Sequence, residues 1–190
     1  MTKTETALSP EETSALAKRL DRPIVLIGMM GVGKSTIGRK LAATLNLPFA
    51  DADEEIEKAA RMSIGEIFEQ FGEDYFRDGE RRVIARLVGE EPSVIASGGG
   101  AFVNDETRAL ILDKAIAVWL DCDLDVLVER VSRKDTRPLL REGDPREILT
   151  RLKQEREPIY AQAPIHIASR TGPHESTVQN IIKAIDQWLA

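Results

Sequence analysis

Five short apolar segments alternate with longer amphipathic segments along the chain. The short ones, such as IVLI and IAVWL, are rich in β-branched residues and do not alternate with polar residues, which is typical of strands buried on both faces. The predicted strands are Pro23–Gly28, Pro48–Asp51, Ser93–Ala96, Ala115–Leu120 and Ile165–Ala168. The alternation predicts an α/β fold with a five-stranded parallel sheet and helices on both of its faces.

The longer segments carry apolar residues at helical spacing. Two of them also begin with helix-starting signals, since Ser63 with Glu66 is a capping box and Asp144 with Pro145 is an N-cap followed by a first-turn proline. The predicted helices are Gly33–Leu45, Asp53–Ala60, Ile64–Phe71, Glu73–Val88, Asp105–Asp113, Leu124–Ser132, Pro145–Glu157 and Glu175–Leu189.

Two stretches lie outside this pattern. Residues 1–20 are predicted to be a frayed or helical extension, which leaves residues 21–190 as a single domain. Residues 133–143, RKDTRPLLREG, carry proline, glycine and charge but little apolar periodicity. They are predicted to form a long mobile loop.

Composition narrows the class of protein. The hydrophobic content of 42% and the charged content of 31% are those of a globular domain, and no apolar run approaches the length of a membrane span. The polar N-terminus lacks the apolar core of a signal peptide, and a single cysteine, Cys122, suits a reducing compartment. We therefore expect a cytoplasmic protein without a membrane partner.

The charge balance argues against nucleic-acid binding by the general surface. There are 26 basic and 32 acidic residues, a net charge of −6. Basic residues are nevertheless concentrated between Arg130 and Arg156. This concentration is either a solvated helix face or a set of contacts to a phosphorylated ligand.

The strongest chemical signal follows the first predicted strand. Gly28 to Ser35 read GMMGVGKS, the G-x-x-x-x-G-K-S pattern of a P-loop, with a strand before it and a helix after it. Glycines let successive amide N–H groups form an anion site, Lys34 supplies a point charge, and the Ser35 hydroxyl is a ligand for Mg²⁺. A nucleoside triphosphate is predicted to bind at Gly31, Val32, Gly33, Lys34, Ser35 and Thr36.

A P-loop alone does not specify the reaction. The N-K-x-D motif with which GTPases read the base is absent from this sequence, and the chain is short for a motor or transporter ATPase. A small P-loop domain with a basic mobile loop favours a kinase for a small metabolite or nucleotide, which closes over its two ligands and excludes water.

Candidate acceptor groups follow the second and third strands, because ligands of open α/β sheets bind at the carboxyl ends of the strands. Asp51 and Asp53 leave the second strand, where one could hold hydrated Mg²⁺ and the other could accept hydrogen bonds from a hydroxylated substrate. Asp53 could equally cap the helix that follows. The triple glycine of residues 98–100 either exposes backbone to a ligand or forms a tight turn.

Two arginines are ambiguous when each is considered alone. Arg77 lies three positions before Glu80, so the two residues are either an ordinary surface ion pair or part of a site. Arg156 lies near a helix end close to Pro158 and is open to the same two interpretations. The two histidines, His166 and His174, are predicted to lie in a strand and a loop far from these motifs and not to be catalytic bases.

Together these segments resemble the shikimate kinase family, from about Pro23 to the C-terminus. The resemblance lies in GMMGVGKSTIGRKLA, FADADEEIE, SIGEIFEQFGEDYFRDGE, SGGGA, RPLL and REPIY, in that order. The P-loop is shared with many unrelated proteins, whereas the other motifs in this order are much more specific. Alternatives are a gluconate or nucleoside monophosphate kinase, and a regulatory protein that binds nucleotide without turnover.

The resemblance implies phosphorylation of the 3-hydroxyl of shikimate by ATP with Mg²⁺. Arg77 and Arg156 are implied to grip the carboxylate, and Asp53 is implied to accept from the hydroxyls. The implied shikimate-binding residues are Asp53, Arg77, Gly98, Gly99, Gly100 and Arg156, with Phe68 and Phe76 as apolar walls.

The resemblance also implies roles at the nucleotide end. Arg137 of RPLL is implied to be the arginine of a lid over residues 133–143 that reaches the phosphates, and Arg130 to stack on adenine. Asp51 is implied to lie near the metal with Ser35. The implied catalytic residues are Lys34, Asp53 and Arg137.

Since the chain shows no long exposed apolar stripe, we expect a monomer.

Overall fold

The computed structural model describes residues 7–133, 140, 143–169 and 173–190. In this part of the chain, five parallel strands form one sheet in the order β2-β3-β1-β4-β5. The strands are β1 (Ile24–Ile27), β2 (Phe49–Asp51), β3 (Val94–Ala96), β4 (Ile116–Asp121) and β5 (Ile165–Ala168). The predicted five-stranded parallel sheet is therefore confirmed, and the central strand β1 is fully buried between β3 and β4.

Eight helices surround the sheet within the described residues. They are α1 (Pro10–Arg19), α2 (Lys34–Leu45), α3 (Ala52–Ala60), α4 (Ile64–Val88), α5 (Asp105–Lys114), α6 (Leu124–Ser132), α7 (Pro145–Tyr160) and α8 (His174–Trp188). A 3-10 turn at Ala101–Val103 links β3 to α5. The two helix starts predicted from capping signals are present, since Ser63 and Asp144 both accept hydrogen bonds from first-turn amides.

The helices lie on both faces of the sheet. The chain moves one way across the sheet from β1 to β2 and the other way in every later crossover. Right-handed crossovers therefore place α2 on one face and α3 to α7 on the other. Helix α8 packs on α2, and α1 joins them through buried Leu16 and Leu20 and an Arg19–Asp186 ion pair at 2.7 Å. The division into an extension over residues 1–20 and a domain over residues 21–190 stays a prediction.

One predicted break is confirmed and one helix end differs from the prediction. Gly72 has non-helical dihedral angles (φ 81°, ψ 177°), so the segment labelled α4 consists of two helices that meet at this residue, as predicted. Helix α7 does not end at Glu157 but runs through Pro158 to Tyr160. A proline removes one helical hydrogen bond without preventing the next turn, and here the Ala161 N–H donates to the Glu157 carbonyl at 2.9 Å. This extra turn places Tyr160 in the core.

No helix within the described ranges is long and apolar enough to cross a membrane.

Candidate active site

The loop between β1 and α2 has the backbone shape of a P-loop. Gly28 and Gly33 have φ values of 140° and 101°, which side-chain-bearing residues rarely adopt. A Cβ on Gly28 would also lie 2.3 Å from the carbonyl oxygen of Leu120. The loop therefore requires glycine at Gly28 for two independent reasons, and Gly33 turns the chain into the first residue of α2.

Lys34 folds back over this loop. Its Nζ donates to the carbonyl oxygens of Gly28 at 2.7 Å and Met29 at 2.9 Å, so the side chain is buried and its charge is held at the N-terminus of α2. The helix N-terminus and the ammonium group together make this end of the sheet favourable for phosphate groups.

Asp51 connects the P-loop helix to the second strand. Its Oδ2 accepts a hydrogen bond from the Ser35 hydroxyl, and its Oδ1 accepts from the amide of Asp53 at 3.0 Å. Asp51 is therefore the N-cap of α3, and the alternative that Asp53 caps this helix is wrong. The Ser35 hydroxyl and the second Asp51 oxygen lie side by side, and both are oxygen ligands of the kind that Mg²⁺ takes alongside phosphates. These residues fit the implied metal.

The triple glycine after β3 is required for space and not for backbone conformation. None of its three residues, all of which the structure describes, has a positive φ, and Gly100 lies at −97°. A Cβ on Gly98 would lie 2.5 Å from Glu80 Oε1 and 3.1 Å from Asp53 Oδ1, and a Cβ on Gly100 would lie 2.5 Å from Arg77 Nη1. The missing side chains thus leave room for side chains from α3 and α4.

The Arg77–Glu80 pair is buried on one side. Arg77 Nη1 donates to Glu80 Oε2 at 2.7 Å, and Glu80 is only 2% exposed. The interpretation of these residues as an ordinary surface pair is therefore wrong. Burial raises the pKa of Glu80 above its ordinary value, and the positive charges of Arg77 and Arg156 oppose that shift. The guanidinium of Arg77 also lies over the ring of Phe76, 5.2 Å from its centroid.

Arg156 approaches the triple glycine from α7. It is 8% exposed, and its Nη1 lies 3.5 Å from the position that a Cβ of Gly99 would take. Arg156 Nη1 and Glu80 Oε1 are both buried and have no hydrogen-bond partner among the described residues. An unpartnered buried donor and an unpartnered buried acceptor beside one glycine segment are consistent with a ligand that supplies both missing partners.

Tyr160 is a residue of this region that the sequence did not single out. Its hydroxyl donates a hydrogen bond to the carbonyl oxygen of Gly99. The signal was present, because Tyr160 closes the REPIY motif one helical turn after Arg156. The helix predicted from the sequence ends at Glu157, and Tyr160 was therefore not considered part of the helix that carries Arg156.

The predicted apolar wall also lies in α4. The rings of Phe68 and Phe76 are 4.8 Å apart between centroids, and Phe76 is buried beside Arg77. The Gly72 kink lies between the two phenylalanines, so the bend in α4 sets how their rings meet.

Arg130 lies at the nucleotide end, where its Nη1 donates to the carbonyl oxygens of Gly31 at 3.3 Å and Val32 at 3.1 Å. His174 is close as well, since its Cε1 lies 3.8 Å from the position of a Gly33 Cβ. The interpretation that His174 lies far from the motifs is therefore wrong. Helix α8 packs against α2, and this packing brings the first residue of α8 to the P-loop.

Two other groups stand apart from this arrangement. His166 stacks on Trp119 with 3.9 Å between ring centroids. Burial raises the pKa of Cys122 to about 11, so its thiol is protonated at neutral pH and is a poor nucleophile. Arg137 and most of the predicted lid lie outside the described residues.

Comparison with known proteins identifies the family. A family model for shikimate kinase matches residues 30–186. The chain belongs to the shikimate kinase family. Its sequence is 63% identical over 186 residues to a shikimate kinase of Novosphingobium aromaticivorans, covering 96% of each chain. It is 56% identical over 172 residues to a shikimate kinase of Caulobacter vibrioides, covering 90% of this chain and 86% of that one.

Solved structures agree with this assignment. Shikimate kinase from Acinetobacter baumannii in complex with shikimate matches with a TM-score of 0.87 and 34% identity, over 90% of this chain and 96% of that chain. A gluconokinase from Sinorhizobium meliloti, with a TM-score of 0.60 and 19% identity, shares the fold alone. The predicted P-loop kinase fold and the predicted family are both confirmed.

Proposed function

We propose that this chain transfers the γ-phosphoryl group of ATP to the 3-hydroxyl of shikimate, forming shikimate 3-phosphate and ADP. The observation that carries the proposal is the approach of two guanidinium groups to adjacent glycines. Arg77 lies against Gly100 and Arg156 lies against Gly99. Two arginines at one bare segment of backbone are suited to a carboxylate, which accepts hydrogen bonds from planar guanidinium groups in pairs.

Shikimate would lie against the triple glycine with its carboxylate on Arg77 and Arg156. The unpartnered Arg156 Nη1 would then gain an acceptor. Asp53 lies at the other end of the segment, beside Gly98, where its carboxylate would accept hydrogen bonds from the ring hydroxyls. Phe68 and Phe76 would cover the apolar face of the ring.

ATP would bind with its phosphates on the P-loop and its adenine against Arg130. Ser35 and Asp51 would hold Mg²⁺, which neutralises phosphate charge when it is bound. The Asp51 oxygen that faces this metal site is Oδ2, which lies beside the Ser35 hydroxyl, because Oδ1 caps α3. The nucleotide-binding set in this proposal is Gly31, Val32, Gly33, Lys34, Ser35, Thr36, Arg130 and Arg137.

The chemistry that we assign to the protein is positioning and charge neutralisation. Phosphoryl transfer places little covalent demand on side chains. Lys34 would offset charge on the transferring phosphoryl group from the start of α2. Asp53 would orient the attacking hydroxyl or take its proton. Arg137, which lies outside the described residues, would add a second positive charge from the lid, as the resemblance implies.

The remaining expectations concern the setting of the reaction. We expect a monomer in the cytoplasm whose partners are the two small-molecule substrates, without nucleic-acid or membrane binding. Sedimentation of the purified protein would test the monomer, and a mass that doubles in the working concentration range would contradict it.

Turnover with a panel of acceptors tests the proposal. The protein is incubated with ATP, Mg²⁺ and, separately, shikimate, quinate, gluconate and nucleoside monophosphates, and release of ADP is measured. We expect ADP with shikimate, loss of that activity when Mg²⁺ is chelated, and a phosphorus NMR signal for the 3-phosphate. Preferential turnover of gluconate or a nucleotide, or no turnover with any acceptor, would contradict it.

Replacement of Arg77 tests the carboxylate contact. Calorimetric titration of Arg77→Ala with shikimate should show an affinity lowered by roughly 1.5–3 kcal/mol, because hydrogen bonds to a charged group are lost. Arg82→Ala, an exposed arginine of the same helix paired with Asp78, is the matched control and should bind shikimate as the parent does. An unchanged Kd in Arg77→Ala would return Arg77 to a structural role as the partner of Glu80.

A further inference from the structure

Tyr160 lies where the triple glycine and α7 meet. It belongs to the turn of α7 that follows Pro158, and it is only 1% exposed, with its ring 6.0 Å from that of Trp119 between centroids. Its hydroxyl donates to the Gly99 carbonyl, 61 positions earlier in the chain. A buried ring has few rotamers open to it, so this hydroxyl is a fixed point beside the glycines.

Arg156, one helical turn earlier, also lies at Gly99. Its Nη1 is 3.5 Å from the position that a Cβ of Gly99 would take. Its positive charge opposes the rise that burial causes in the pKa of Tyr160. Tyr160 and Arg156 therefore approach the same glycine from one helix.

This contact determines the orientation of the peptide between Gly99 and Gly100. In a trans peptide the C=O and the following N–H point in opposite directions. When Tyr160 holds the Gly99 carbonyl on its own side, the Gly100 N–H is turned to the other side. Glycine has the greatest backbone freedom of any residue, so a run of three needs an external contact to hold one orientation.

We propose that Tyr160 is a positioning residue for shikimate, one whose hydroxyl fixes the Gly99–Gly100 peptide, beside Arg156, in the orientation that receives the substrate. The inference rests on the proposed function. It adds a residue that acts through Gly99 and leaves the nucleotide end unaffected.

Removal of the hydroxyl alone tests this role. Tyr160→Phe keeps the buried ring and should raise the KM for shikimate about five- to tenfold, as expected for one lost hydrogen bond, with kcat and the KM for ATP within about twofold of the parent. Tyr75→Phe makes the same change at an exposed tyrosine and should leave all three constants unchanged. If the hydroxyl has only a structural role, its removal should lower the free energy of unfolding and leave the KM for shikimate at the parent value. That result would overturn the inference.

A double-mutant cycle tests the coupling to Arg156. If Tyr160 acts by setting the peptide beside which Arg156 lies, the effect of Tyr160→Phe on the KM for shikimate should shrink in an Arg156→Lys background, because lysine cannot reproduce the paired hydrogen bonds of a guanidinium. Equal effects in both backgrounds would overturn the proposed coupling.

The parent protein separates this inference from the proposed function. If the parent phosphorylates shikimate and Tyr160→Phe keeps its KM, only the role of Tyr160 is wrong. If the parent neither binds nor phosphorylates shikimate, both proposals are wrong.

Discussion

The two glycine segments at neighbouring strand ends use the same residue for different physical reasons. In the loop after β1, Gly28, Gly31 and Gly33 all have positive φ, and the backbone itself shapes the site. In the segment after β3, none of the glycines has a positive φ. Side chains of Glu80 and Arg77 fill the space that a Cβ would occupy at Gly98 and Gly100, whereas at Gly99 the backbone nitrogen of Met30 lies nearest, at 3.3 Å. The shape of the nucleotide site thus depends mainly on the backbone conformation of its loop. The shape of the acceptor site depends mainly on side chains that pack against glycines.

This difference predicts how each segment responds to alanine. At Gly28 the φ is positive and the nearest atom to an added Cβ belongs to the backbone, which cannot move aside locally. Substitution there should therefore reduce stability. A side-chain neighbour can move, so substitution there should reduce substrate binding and leave the fold intact. The substitutions that follow are arranged from the largest expected effect to the smallest.

Gly28→Ala should have the largest effect. Its φ of 140° is unfavourable for alanine, and its Cβ would lie 2.3 Å from the Leu120 carbonyl oxygen in β4, the neighbouring strand. We expect the free energy of unfolding to fall by about 4 kcal/mol or more, measured by urea denaturation. Gly72→Ala is the matched control, because its φ is also positive (81°) but nothing lies within 4 Å of its Cβ.

Backbone strain alone should make Gly72→Ala lose about 1–3 kcal/mol. The difference between the two variants measures the collision at Gly28. If Gly28→Ala loses no more stability than Gly72→Ala, the P-loop can relax around a side chain, and the contrast between the two segments is lost.

Lys34→Ala should separate the two ends by activity. We expect kcat to fall about 1000-fold, because a fixed positive charge is lost from the transferring phosphoryl group, and the Kd for shikimate to stay within about twofold of the parent. The Gly28 and Met29 carbonyls also lose their donor. Lys34→Met, which keeps most of the buried stem without the charge, distinguishes lost chemistry from lost packing. A folded Lys34→Ala protein with near-parent kcat would exclude the proposed nucleotide site.

The same contrast explains what the sequence could predict. The P-loop is contiguous, so its pattern, its flanking strand and its helix could all be read within residues 23–45. The acceptor groups come from α3, α4 and α7, and each had a plausible structural role when considered alone. Asp53 could have been a cap, and Arg77 could have been a surface residue. Only the resemblance joined them before the fold showed Arg77 and Arg156 beside the same glycines.

The misjudged residues were those whose neighbours are distant in sequence. Glu80 was predicted as the partner of Arg77 from local spacing, but it is also buried against Gly98 and near the positive charge of Arg156, both distant in the chain. Tyr160 was overlooked because proline usually signals a helix end, and the tertiary packing of α7 overrode that signal. His174 is brought to Gly33 by the packing of two helices far apart in the chain. Local patterns cannot encode such contacts.

Gly100→Ala should have the smallest effect on stability and the most informative effect on binding. Its φ of −97° is allowed for alanine. The Cβ would lie between 2.5 and 2.7 Å from three guanidinium atoms of Arg77, which form the far end of a flexible side chain. Arg77 can yield towards Glu73, an exposed partner at 3.4 Å. We therefore expect the free energy of unfolding to change by no more than about 1 kcal/mol.

The Arg77–Glu80 hydrogen bond at 2.7 Å fixes the orientation of the Arg77 guanidinium. Once displaced, the guanidinium should no longer donate two well-aligned hydrogen bonds to the carboxylate of shikimate. We expect the Kd for shikimate, measured by calorimetry, to rise about tenfold, which is part of the 1.5–3 kcal/mol available to hydrogen bonds with a charged group. The Kd for ATP should not change. Gly65→Ala, whose Cβ would meet only Ser63 Oγ at 3.9 Å, is the control and should bind both ligands as the parent does. If Gly100→Ala instead loses stability as Gly28→Ala does and binds shikimate normally, the triple glycine is required for backbone conformation, and the two segments are alike after all.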